Sequence, residues 1–177
     1  MPGRTRHVEN VSMKERKRQK AEESIDIDQK SLVDAGSYYF LECGYTCSES
    51  ICKTALNAMG IKSATLINAA AGFGGGIGNQ GHTCGAITGA VMVISLALSK
   101  REHDRGARKR TINAAVQKFF KTLQQRFGPL ECSSLTGLNL TREQDYETLV
   151  QSVMKQKCLL VFREVARQLA TTLNSLR

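Results

Sequence analysis

The chain has 177 residues, carries 25 Lys and Arg against 16 Asp and Glu, and has a formal charge of +9. Hydrophobic residues make up 41%, Trp is absent and there are two prolines, Pro2 and Pro129, so one globular domain with long windows open to helix is expected. Residues 1–25 hold basic residues but no apolar signal core, and the longest apolar run, Gly85 to Leu98, is shorter than the roughly 18–20 residues a bilayer span needs. A cytoplasmic setting follows as the expectation. There, cysteines serve more often in catalysis, redox chemistry or metal binding than as structural staples.

Residues 1–24 are polar and charged. Met13 to Lys20 alone holds Lys14, Arg16, Lys17, Arg18 and Lys20 against Glu15. The expected organisation is therefore a basic, flexible arm over residues 1–28 and a helical domain over 29–177. A solvated tail is the first reading of such a run, and a nucleic-acid or acidic-partner contact is the lesser one.

From Asp28 the pattern turns helical, with Leu32, Val33, Ala35, Tyr38, Tyr39, Phe40 and Leu41 on a stripe that ends near Gly44. Thr46-Cys47-Ser48-Glu49 has the capping-box form T-x-x-E and makes Cys47 the first residue of a helix that Gly60 stops. Lys62 to Ala71 reads as a short helix capped by Ser63. Gly72 to Gly85 then holds seven glycines, and the apolar run behind it reads as a buried helix. Thr83-Cys84 repeats the Thr-Cys start, so Cys84 is also expected at a first helical position, where unpaired N–H groups and the helix dipole favour a thiolate.

Lys100 to Arg110, with six Lys and Arg, is expected as a solvent-facing link before an amphipathic helix over Thr111 to Phe127, ended by Gly128-Pro129. Cys132 falls in a loop. Thr141-Arg142-Glu143-Gln144 is a second capping-box candidate. The last helix, about Lys157 to Leu176, is expected to carry Cys158 at its start and to bury Leu160, Val161, Val165, Leu169 and Leu173. No alternating strand appears. The fold expected is an all-α compact bundle of about six or seven helices with a glycine-rich loop.

Gly76-Ile77-Gly78-Asn79-Gln80-Gly81 matches G-x-G-x-x-G in letters, yet no strand precedes it, so nucleotide binding is not expected. Without C-x-x-C-H there is no covalent haem, and without C-x-x-C a thioredoxin-type pair and a zinc ribbon both fit poorly. Of the six cysteines, Cys52 reads as core filler and Cys43 divides evenly between filler and site. Cys47, Cys84, Cys132 and Cys158 each lie at an expected helix start or in a loop, where a thiolate can be stabilised. Gly74, Gly75, Gly76 and Gly78 are expected to turn backbone N–H groups toward these sulfurs, with at least one residue at positive φ. His82, two residues before Cys84, reads as a loop histidine first and as a tuning or ligating residue second.

These pieces carry a resemblance. Tyr38-Tyr39-Phe40, Gly44-Tyr45-Thr46-Cys47, the glycine run from Gly72 to Gly78, Cys84-Gly85-Ala86-Ile87-Thr88-Gly89, Phe127-Gly128 before Cys132, and Cys158 follow in order over about residues 32–176. The chain resembles a family of small bacterial and archaeal redox-active proteins named for a lone Cys, then C-G-A-x-x-G, then two more Cys. Thr46 stands where that family usually has Asn. A related domain also resembles the non-haem part of split-Soret cytochrome c, and that likeness implies a cysteine-ligated iron–sulfur cluster. Four thiolates bring a charge too large to bury unpaired. A cluster, 2Fe–2S or 4Fe–4S, is the first expectation for Cys47, Cys84, Cys132 and Cys158 and would serve electron transfer. A thiol–disulfide protein without metal is the second, and a non-catalytic metal-binding module with a basic arm the third. The partner expected is a redox protein of unstated identity, with a homodimer allowed.

Overall fold

The structure is a computed structural model and describes residues 26–176; the basic-arm expectation over 1–24 lies outside the described residues. Helix α1 (Gln29–Glu42) starts where the Asp28 carboxylate accepts the Ser31 N–H at 2.6 Å. Helix α2 (Cys47–Ala58) opens on the expected capping box: Thr46 Oγ1 accepts from the Glu49 N–H at 3.3 Å, and Glu49 Oε2 accepts from the Thr46 N–H at 2.9 Å. Ser63 caps α3 (Ala64–Ala70), which runs into a 3-10 turn, Ala71–Phe73. After the glycine loop come α4 (Gly85–Ser99), α5 (Arg105–Phe127) and the short α6 (Cys132–Thr136). Finally α7 (Glu143–Thr148), a π-helical stretch Leu149–Cys158 and α8 (Leu159–Ser175) follow one another without a break. Counting that run as one, the fold is all-α with seven helices and no strand among the described residues, as expected.

Helix α4 is the axis of the core. It carries no charge, buries Ala86, Ile87, Ala90, Val93 and Ile94, and packs on α2, α5 and α8. The α2–α4 approach is close because a Cβ at Gly89 would lie 2.7 Å from Ser48 O and 3.1 Å from Ser48 Cα. Helices α1 and α8 close the other side, where Phe40 stacks on Phe162 with ring centroids 5.1 Å apart. Asn174 ties the two ends of the described chain: Ile27 N–H donates to its Oδ1 at 2.9 Å, and its Nδ2 donates to Ile27 O at 3.0 Å. No described helix is long and apolar enough to cross a membrane.

Several local expectations give way to tertiary contacts. Cys84 is the cap of α4 and not its first turn, because Thr83 pairs with Glu131 in an isolated antiparallel bridge and Cys84 N–H donates to Leu130 O at 2.9 Å. The basic stretch is not a link throughout. Asp104 accepts from the Ala107 N–H at 2.6 Å and starts α5 at Arg105. Cys132 begins α6 where a loop was expected. The second capping box does not form, since Thr141 Oγ1 donates to Asn139 Oδ1 at 2.7 Å and Arg142 occupies the cap position. Cys158 lies inside a continuous helical run, so it has no helix N-terminus beside it. Leu160 is 62% exposed, and Phe162, Ala166 and Ala170 take core places instead.

The Gly89 contact yields the first test. Gly89→Ala forces α2 and α4 apart at Ser48 and is expected to cost about 1–3 kcal/mol, the range for an overpacked interior, read as a lowered midpoint in denaturant unfolding. An unchanged midpoint would show that the two helices are free to separate there.

Candidate functional site

Cys47, Cys84, Cys132 and Cys158 line one cavity of about 390 Å³, together with Gly74, Gly75 and Gly78 of the glycine loop. The expected four-cysteine set therefore faces a common space. Cys52 does not line it: it is fully buried in α2, donates to Gly89 O at 3.4 Å, and burial pushes its thiol up to about 12. Cys43 is exposed just past α1, also outside the lining. His82 is exposed and outside it too; only its backbone serves the site, its carbonyl accepting from the Cys132 N–H at 2.7 Å.

Two segments distant in sequence bring Cys84 and Cys132 together. Residues 82–84 and 130–132 run antiparallel, joined by Cys84 N–H to Leu130 O and Cys132 N–H to His82 O. The capping box sets Cys47 at the first turn of α2, and its sulfur rests against the start of α4. A Cβ at Gly85 would lie 2.6 Å from Cys47 Sγ and 2.6 Å from Phe73 O, so the C-G-A-x-x-G run needs glycine there for room. Ala86 is buried and Gly89 admits α2, which accounts for the small residues at both remaining fixed positions of that run.

The four sulfurs are electrostatically unequal. The Cys84 thiol donates to the Cys47 sulfur, and backbone N–H groups of Gly75, Ser48 and Ala86 add to it; together they outweigh burial and lower Cys47 to about 7. Cys84 is driven the other way, first by that same hydrogen bond, then by burial and by the charges of Cys47 and Cys132. Burial pushes Cys132 up to about 11, with the Cys47 charge adding to it. Burial likewise pushes Cys158 up to about 12, with the Cys132 and Cys47 charges adding and Lys157 opposing. The expectation that all four positions stabilise a thiolate thus holds for Cys47 alone. Cys158 lacks a helix N-terminus, and the donors at Cys47 come from three separate segments.

The glycine loop meets the expectation in part: Gly75 N–H reaches Cys47, while Gly74 N–H donates to Ala71 O at 3.2 Å and Gly78 N–H to Gly72 O at 2.9 Å, closing the loop on itself. Every residue from Gly75 to Asn79 has positive φ, including Ile77 at 64° and Asn79 at 62°, which is uncommon backbone for side-chain-bearing residues. Gly76 does not line the cavity. It lies where a Cβ would meet the His82 backbone and come within 2.8 Å of Cys132 Cβ.

Sequence reasoning missed two participants. One is the π-helical stretch that ends at Cys158 and supplies Leu149, Val150 and Met154 to the lining; such stretches are rare and recur at functional sites. The other is Lys157, whose Nζ donates to Thr136 O at 2.9 Å beside the cavity. Among the described residues no three His, Cys, Asp or Glu side chains stand close enough to hold a single metal ion.

The domain is all-α and brings four cysteines from four separate stretches of chain to one cavity, with Cys47 lowered and the other three raised. The chain belongs to the family described as "Putative redox-active protein (C_GCAxxG_C_C)", whose model matches residues 45–172. No curated protein and no solved structure matches it.

Two tests follow from the site. Alkylation of Cys47, followed by mass spectrometry, is expected to rise through pH 7 and level off above it, while Cys132 and Cys158 stay protonated and slow at pH 8. Cys84→Ala removes the main donor and is expected to move that midpoint upward; an unmoved midpoint would mean the backbone N–H groups alone set it. Gly76→Val is expected to cost about 1–3 kcal/mol through strained backbone and also to alter the reactivity of Cys132. The control Gly60→Ala, with φ 67° and open space at its Cβ, is expected to cost stability alone. Unaltered thiol titration in folded Gly76→Val would reduce the loop to a connector.

Proposed function

We propose that this protein is a thiol–disulfide redox protein in which Cys47 is the attacking thiolate and Cys84 the resolving thiol. The observation that carries it is the placement of the Cys47 sulfur against the first turn of the helix that Cys84 caps, both lining one cavity, with a hydrogen bond from Cys84 lowering Cys47 and raising Cys84. An attacking thiol works best with its pKa near ambient pH, and about 7 meets that condition. The Cys47 thiolate attacks one sulfur of an oxidised partner's disulfide, forming a mixed disulfide and releasing the first thiolate. Cys84 then gives its proton to that leaving thiolate and attacks Cys47 Sγ. This closes a Cys47–Cys84 disulfide and releases the second thiolate, so two electrons pass from the dithiol to the partner. Cys132 and Cys158, both protonated and facing the same cavity, form a reserve pair able to reduce the first.

A second reading is favoured by the four sulfurs sharing one cavity. Four soft thiol donors suit an iron–sulfur cluster in chemistry, and Cys47, Cys84, Cys132 and Cys158 would hold it. Such a cluster, 2Fe–2S or 4Fe–4S, supplies one-electron transfer when bound. What this chain contributes to either reading is the same: backbone N–H groups of Gly75, Ser48 and Ala86 aimed at the sulfur charge.

Purification without oxygen, with iron, acid-labile sulfide and thiols assayed together, separates the two. Four free thiols at the site without iron, of which Cys47 and Cys84 pair on mild oxidation as seen by peptide mapping, are expected. Stoichiometric iron and sulfide lost in Cys132→Ser and Cys158→Ser would replace the exchange reading by the cluster.

A further inference from the structure

The cavity in front of Cys47 has the size and lining of a small-molecule site. Its volume of about 390 Å³ falls in the range of ligand pockets, roughly 300–1,000 Å³. Phe40, Leu41, Leu135, Leu149, Met154 and Phe162 supply apolar wall. Tyr146 and Val150 stand at the mouth, 44% and 47% exposed. Among the described lining residues Lys157 is the one basic side chain, and no Asp or Glu is present. Lys157 makes no ion pair among the described residues. Its bond to Thr136 O engages one N–H, so two donors remain for a ligand. That backbone bond also holds the ammonium at the rim, one residue from Cys158.

We infer that the disulfide reduced here is a low-molecular-weight one carrying a carboxylate, seated with its anion on Lys157 and a sulfur against Cys47. The inference rests on the exchange reading above and narrows its substrate class. Cys47 and Cys84 are half-buried in the cavity wall, so a substrate has to enter to reach them. The apolar wall takes the carbon chain, and the single cation selects the charge. The reaction is RS–SR with the two site thiols giving two RSH and the Cys47–Cys84 disulfide. The Cys47 thiolate forms the mixed disulfide, the leaving RS⁻ takes the Cys84 proton, and the second RS⁻ takes a proton from solvent.

Three disulfides with the same two-methylene spacer test it on the full chain in reduced form: 3,3′-dithiodipropionate (anionic), bis(2-hydroxyethyl) disulfide (neutral) and cystamine (cationic). Oxidation of Cys47 and Cys84 is followed by mass spectrometry at fixed salt. The negative charge on Cys47 by itself favours cystamine, so a preference for the anionic compound has to come from the cavity. Dithiodipropionate is expected to react about five-fold faster than the neutral compound, the size of a charge-assisted bond discounted for solvent, and cystamine slowest. Lys157→Gln is expected to bring the anionic rate down to the neutral one, Lys157→Arg to keep most of the preference, and Lys155→Gln to change nothing, which separates the rim cation from net charge. If all three compounds oxidise the pair at equal rates, or cystamine is fastest in the parent protein, the anion-selective site is overturned and the exchange reading stands. If none oxidises the pair, the exchange reading itself falls and this inference with it.

Discussion

The contact on which the structure turns is that of the Cys47 sulfur against the first turn of α4. It requires three independent things at once. A capping box must start α2 at Cys47, a residue without Cβ must follow Cys84, and the glycine loop must bring the Gly75 N–H over the sulfur. Each uses a different kind of physics: a local cap, steric room, and backbone that tolerates positive φ. Their sum is a small polar pocket in which a thiolate finds one thiol donor and three backbone donors. Burial opposes that charge, and the hydrogen bonds outweigh it.

Burial chiefly holds Cys132 and Cys158 back, the hydrogen bond to Cys47 holds Cys84, and the Cys47 charge adds to all three. Once Cys47 holds a negative charge, a second one nearby is disfavoured, and burial presses in the same direction. Cys84, Cys132 and Cys158 are accordingly held as thiols. One sulfur is thus set apart from the other three within a single cavity, in a family described as redox-active.

The core serves this arrangement by keeping α4 still. Its uncharged surface is enclosed by α2, α5 and α8, so the Cys84 end of the helix is fixed relative to α2. The π-helical stretch differs. None of its residues is fully buried, and it forms the cavity side that carries Cys158 and Lys157. A rigid wall bearing Cys47 and Cys84 thus faces a less buried one, which suits a site that must admit a ligand.

Much of this was legible in the chain because it is decided within a few residues. The Thr46 and Ser63 caps, the Gly60 and Gly128 stops and the apolar α4 depend on neighbours three or four positions away, and all form as read. The four cysteines were legible from their motif and spacing. Their inequality was not. Cys84 became a cap because Thr83 found a partner at Glu131, and Thr141 lost its cap to Asn139. Cys158 lost its helix start because the run before it stayed helical, and Leu160 was turned outward in that run. Which sulfur carries the charge depends on N–H groups from α2, α4 and the glycine loop meeting at one atom. The chain alone determined which thiols are present and that Cys47 opens a helix; only the tertiary structure decided which sulfur is favoured as the thiolate, because hydrogen bonds to a single sulfur from three segments exist only once those segments are packed together.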